Sequence, residues 1–127
     1  MEKYKITKTF EYYDEDIVDV ISSAIYDIGY WSCIDNDTDV WHKTSDSMDD
    51  DHTFEDVFFE ILKNGQSVHL IDAEDDEEVW ELTLDKLIHG MQLAVEQSYW
   101  DGDIDSLDGE VGDIIFQMAL FSQIVFG

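Results

Sequence analysis

Apolar residues recur along this chain at two spacings. Tyr4, Ile6 and Phe10 alternate with Lys5, Thr7 and Thr9, and Lys8 interrupts the apolar side, which predicts a strand over residues 4–10 with an edge character. Ile17, Val20, Ile21, Ala24, Ile25 and Ile28 then follow at helical spacing. Asp14 is the expected N-cap, Asp14–Asp16 suit the positive helix start, and Gly29 is the expected C′ residue. Residues 30–35 read as a second strand, and 36–43 as a turn leading to a short strand around Val40 and Trp41. Residues 44–52 are polar and read as a loop. Thr53 with Asp56 forms a capping box ahead of Phe54, Val57, Phe58, Ile61 and Leu62, and Asn64-Gly65 ends that helix.

The second half is patterned more sharply. Residues 66–72 and 79–82 read as antiparallel strands joined by an acidic turn at 73–78. Thr83 caps a helix that turns Leu84, Leu87, Ile88, Met91, Ala94 and Val95 inward. A Gly-Asp loop at 101–110 leads into a last helix through Val111, Ile114, Ile115, Met118, Ala119 and Phe121. Ile124, Val125 and Phe126 are expected to pack into the core, with a homodimer seam as the alternative. The order β-α-β-β-α-β-β-α-α predicts one α+β domain over residues 1–127, with a small antiparallel sheet of about 4–5 strands and about four helices.

Charge changes the functional reading more than the fold. The 127 residues hold six lysines, no Arg and thirty-two acids, for a formal net charge of −26. Seventeen aromatic residues (four Trp, six Tyr, seven Phe) separate this chain from acidic disordered tails, which lack the apolar content for a core. Direct nucleic-acid binding and adhesion to anionic membranes are disfavoured by the sign of the charge. The segment MEKYKITKTF has no apolar stretch of the signal-peptide kind, and the lone Cys33 suits a reducing cytoplasm. Duplex DNA carries one charge per ~1.7 Å, so this net charge matches roughly 44 Å of duplex. A folded chain of this length is roughly 36 Å across. Solubility alone asks for a net charge of only about 2–8.

The acids gather in clusters: Asp14–Asp16; Asp35, Asp37 and Asp39; Asp49, Asp50 and Asp51; Glu74, Asp75, Asp76, Glu77 and Glu78; and Asp101, Asp103 and Asp105, with Asp108 beyond. The expected partner-binding residues are those of 49–51, 74–78 and 101–105, presented where a partner expects phosphates. Asp35-x-Asp37-x-Asp39 and Asp101-x-Asp103-x-Asp105 begin like calcium loops, but Val40 and Ser106 stand where the sixth-position Gly is required. Asp46 and Gly112 stand where the closing Glu belongs. Cys33, His42, His52, His69 and His89 have no zinc-site spacing, and Cys33 reads as a small core residue. With no phosphate loop and no nucleophile elbow, the expectation is a non-enzymatic protein without a metal or cofactor. The four Trp read mainly as core, and Trp100 beside Tyr99 is the best candidate for an exposed interface anchor.

Gly29-Tyr30-Trp31, the approach from Gly65 through Asp72, Trp80-Glu81-Leu82-Thr83 and the ending from Ala119 through Gly127 resemble a family of small, mostly uncharacterised phage and prophage proteins of Firmicutes. The likeness covers the second half well and the first half loosely. It implies a phage origin and a shared fold, and it carries no catalytic residues; the expected location is the bacterial host cytoplasm. In charge and implied origin the chain is also similar to DNA-mimicking anti-CRISPR proteins. The functional expectation is therefore an inhibitor that occupies the basic nucleic-acid-binding site of a bacterial defence protein, with a Cas9-type CRISPR effector foremost. The alternative is a phage structural or adaptor protein that forms a homo-oligomer through its apolar ending.

Overall fold

The computed structural model describes residues 3, 4, 6 and 8–127, and the fold is α+β. Five α-helices are present among them: α1 (Asp14–Ile25), α2 (Asp39–Asp46), α3 (Phe54–Lys63), α4 (Leu84–Glu96) and α5 (Gly109–Phe121). Three strands, β1 (Ser32–Ile34), β2 (Val68–Asp72) and β3 (Val79–Leu82), form one antiparallel sheet in the order β1-β2-β3. Short 3₁₀ turns occupy Ile28–Tyr30 and Ile104–Ser106.

Two of the helix caps read from the sequence are present, those at Thr53 and Thr83. Thr53 and Asp56 exchange their side-chain and backbone hydrogen bonds at the start of α3. The Thr83 hydroxyl accepts from the Lys86 N–H to start α4. A further cap, not singled out in the sequence, is Asp108, whose Oδ1 accepts the Val111 N–H ahead of α5.

Several expectations are corrected. The residues around Val40 and Trp41 form α2 and not a strand. The Thr38 hydroxyl accepts the Trp41 N–H at 3.1 Å, and the helix then turns Trp41 and Thr44 together into the core, where Trp41 meets Phe54. Of the expected strand 4–10, Lys5 and Thr7 lie outside the described residues. Tyr4, Ile6 and Lys8–Phe10 take no part in the sheet, which therefore has three strands and not 4–5. The second strand begins at Ser32 and not at residue 30, because Tyr30 belongs to a 3₁₀ turn. Helix α1 is capped at Tyr13 and ends at Ile25, so Asp14 is already helical. Gly29 sits in the 3₁₀ turn and not at a left-handed C′ position. Ile28 is nonetheless buried, through that turn. Ile88, expected inward, is 49% exposed on α4.

Helix α5 is the spine of the core. Gly112, Ile115, Phe116, Gln117, Met118 and Ala119 are all buried, as befits a helix covered on most of its circumference. Two glycines let its neighbours come close. A Cβ on Gly90 of α4 would lie 2.8 Å from the Ala119 Cβ, and one on Gly112 would lie 2.8 Å from the Ala24 N of α1. Val68, Leu70 and Leu82 line the inner sheet face with Trp31 and half-buried Trp80. Cys33, Ile71 and Val79 are register partners across the outer face. Cys33 is therefore exposed and not a core residue: the two-residue period turns Ser32 inward and Cys33 out. The chain ending divides. Phe126 stacks on Trp31 at 5.1 Å, while Ile124 and Val125 stay exposed.

Candidate functional site

Each acidic cluster grows from a turn that its own carboxylates help to build. Between β2 and β3, Asp72 Oδ1 accepts the Glu74 N–H at 2.8 Å, and Asp75 Oδ1 accepts the Glu77 N–H at 3.1 Å. Short Asp side chains favour such local bonds over regular structure. The hairpin is tight because the Asp75 carbonyl also accepts the Glu78 N–H. Glu74, Asp75, Asp76, Glu77 and Glu78 are all exposed at its tip. Asp75 is thus partly committed to the turn, and Glu74, Asp76, Glu77 and Glu78 have no ion-pair partner among the described residues.

Asp49, Asp50 and Asp51 are exposed in the turn between α2 and α3. His52 ties this turn back to α2. Its Nδ1 lies 2.5 Å from the Asp49 carbonyl oxygen, and its Nε2 lies 2.9 Å from the Ser45 hydroxyl. With the proton on Nδ1 shared toward that carbonyl, Nε2 accepts from Ser45. Seven residues apart, this pair has no sequence signature. Ser45 lies at the C-terminal end of α2, so the pair ties the loop to that helix end.

The third cluster lies past the end of α4. Asp101 Oδ1 accepts from the Asp103 N–H at 2.9 Å and from the Ser106 hydroxyl at 2.6 Å, and Asp103 Oδ1 accepts the Asp105 N–H. The Ser106 hydroxyl first, then the Asp103 N–H, hold the Asp101 carboxyl below its usual range. Trp100 fixes this loop from inside. It is 4% exposed and donates its indole N–H to the Asp103 carbonyl, so it is a buried anchor and not the exposed interface residue expected; Tyr99 is the exposed neighbour.

The tertiary structure joins this loop to acids far away in the chain. Asp101, Asp103 and Asp105 share an open concavity of about 680 Å³ with Glu11, Asp16 and Asp19. Phe10 and Tyr12 stack beside it, the Tyr12 hydroxyl donates to the Gly102 carbonyl at 2.7 Å, and the Lys8 ammonium lies 5.0 Å from the Phe10 ring centre. Partial burial, followed by the charges of Asp16, Asp101 and Asp103, raises the Tyr12 pKa. No sequence spacing links Asp16 and Asp19 to Asp101; only the packing of Tyr12 onto Gly102 does. Neither the 49–51 turn nor the 74–78 turn lines this concavity.

Among the described residues no group of three or more His, Cys, Asp or Glu side chains has metal-binding geometry, and no helix is long and apolar enough to cross a membrane. No family model, no curated protein and no solved structure matches this chain.

Proposed function

We propose that this protein is a non-enzymatic acidic inhibitor of phage origin. It would act in the bacterial host cytoplasm by occupying a basic nucleic-acid-binding groove of a defence protein, with a Cas9-type effector as the best chemical fit. The observation that carries this reading is the hairpin tip at Glu74–Glu78, five consecutive exposed acids on a turn held by its own hydrogen bonds and backed by a packed sheet. Carboxylates at that density on an ordered turn would meet Arg and Lys as phosphates do. Bidentate pairing with guanidinium adds direction, and a PAM-reading pocket is built of such arginines. The thirty-two acids against six lysines would steer encounter with a basic groove and make it sensitive to salt. The exposed acids at 49–51 and 101–105 would add to the negative field that steers the encounter.

The test is capture on immobilised protein from a bacterial lysate that contains a guide-loaded Cas9-type effector. Elution is attempted with duplex DNA and, separately, with polyglutamate at equal charge. Release of a nucleic-acid-binding protein by duplex and not by polyglutamate, with capture lost when Glu74–Glu78 are all changed to Lys, is the expected result. Equal release by the two polyanions, or undiminished capture by the charge-reversed variant, would show mere ion exchange and overturn the proposal.

A further inference from the structure

The three longest stretches of this chain without an acid are residues 61–71, 86–95 and 114–127. The fold brings one residue of each to a single place. His69 of β2, Lys86 of α4 and Leu120 of α5 line an open concavity of about 620 Å³ together with Val79, Trp80 and Glu81 of β3. Its lining holds one ammonium and one carboxylate, whereas the concavity around Asp101 sets six acids against Lys8. Apolar surface adjoins it: Val79 is 43% exposed, and Phe126, next to exposed Val125, packs on Trp80. The two charges of the lining do not pair with each other. The Lys86 ammonium donates to the Glu81 backbone carbonyl at 2.7 Å, and the Glu81 carboxylate lies 3.4 Å from His69 Nε2. An ammonium carries three donors, of which that bond uses one. The same bond covers an outward carbonyl of the β3 edge, so this face offers side chains and not a further backbone ladder.

We propose that this face is the seam of a two-fold dimer, with a second copy of the chain as its occupant. The lining is self-complementary. A two-fold axis at the concavity sets Lys86 of each copy against the Glu81 carboxylate of the other, with Val79, Trp80 and Leu120 of both copies packed between the two pairs. Burial of those apolar side chains supplies the attraction. The ion pairs at the rim fix the register and contribute little energy. The occupant follows from the charge. On most of its surface a chain of net charge −26 would meet its own copy acid against acid. Here the two linings sum to zero, and repulsion from more distant acids decays over about 8 Å at physiological salt. A basic partner drawn in by the acids finds on this face one carboxylate beside a lysine, and so is better met elsewhere. This inference stands apart from the proposed inhibitory role and does not use the acids at 74–78.

The experiment is mass measurement by light scattering during size exclusion at 0.15 M salt, on the full chain and on Glu81→Lys, Lys86→Glu and the double swap. Both positions are exposed, and Glu is well placed as the third residue of α4, so the monomer fold is kept and circular dichroism verifies it. Each single substitution sets like charges across both pairs, and the double swap restores them. A doubled mass for the parent chain, an at least tenfold weaker dimer in each single variant and recovery in the double swap are expected. Mixing the two single variants should give a heterodimer, because all four charges are then matched. Glu96→Lys, at the far end of α4, changes the net charge as Glu81→Lys does and should leave the dimer intact. A monomeric parent chain at high concentration overturns the proposal. So does a dimer that survives both single substitutions, a mixture that stays monomeric, or equal weakening by Glu96→Lys, which would show a response to net charge alone.

Discussion

Gln117 grips the peptide of Phe126 from both sides: its Oε1 accepts the Phe126 N–H at 2.8 Å, and its Nε2 donates to the Phe126 carbonyl at 3.2 Å. The same Oε1 accepts the Val125 N–H, and the same Nε2 donates to Asp113. A carboxamide has two donors and two acceptor lone pairs, and here both ends are used. Gln117 is 1% exposed, so these bonds form away from water and fix where the chain ending runs. That fixing brings the Phe126 ring onto Trp31, whose indole N–H also donates to Asp113.

Gln117→Leu keeps the volume and removes the grip. The cost is expected to be about 2–3 kcal/mol, from lost buried hydrogen bonds and a released tail. Urea unfolding measures it, and amide exchange localises it. Fast exchange at Val125 and Phe126 with unchanged α4 is the expected pattern, whereas unaltered exchange at both would contradict the assignment.

Gly90→Ala should destabilise although Ala is the better helix former. The new methyl would lie 2.4 Å from the Ile115 carbonyl oxygen and 2.8 Å from the Ala119 Cβ, so α4 and α5 must separate. Overpacking costs about 1–3 kcal/mol, towards the upper end at so short a contact, and the propensity gain is about 1 kcal/mol, for a net loss of about 1–2 kcal/mol. Gly29→Ala is the control, because open space surrounds Gly29 and its φ is not positive. It should be neutral or slightly stabilising in the same melt.

The Tyr30 hydroxyl is pushed up to about 12 by desolvation, then by its hydrogen bond to Asp113 and the charge there, with Gln117 acting in the opposite direction. The folded state therefore holds this proton more tightly than the unfolded chain does. The stabilisation is complete below pH 10 and is lost as pH rises from about 10 to about 12. Ultraviolet titration should show Tyr30 ionising late, and Tyr30→Phe should remove that late step and flatten stability across the same window. An unchanged titration curve in the variant would refute it.

Self-repulsion at a net charge of −26 should make stability rise with salt. Screening lengths fall from about 30 Å at 0.01 M to about 8 Å at 0.15 M, so most of the gain belongs to that interval. Calorimetry should record a Tm increase of several degrees, roughly 4 °C per kcal/mol. Changing Glu74–Glu78 to Lys should reduce the slope. A Tm that falls with added salt would show that attractive pairs such as Asp14–Lys63 outweigh the repulsion.

Much of the local architecture follows from short-range patterns. The Thr53 and Thr83 caps, the hairpin of β2 and β3 and the stripes of α3 and α5 each depend on residues within one or two turns of one another, and the chain order carries that information directly. The acidic character follows from composition alone. What the sequence left open depends on partners remote in the chain. Trp41 enters a helix because Phe54 and Phe58 receive its ring, and Trp100 is buried because Tyr12 stacks on it at 6.0 Å. Cys33 faces outward because strand pairing decides which residue of a short apolar run turns inward. Asp16 and Asp19 meet Asp101 only because α1 packs beside the loop that follows α4. A period along the chain says which residues share a face; which face meets which, and which charges gather there, is decided only when helices and sheet close on a common core.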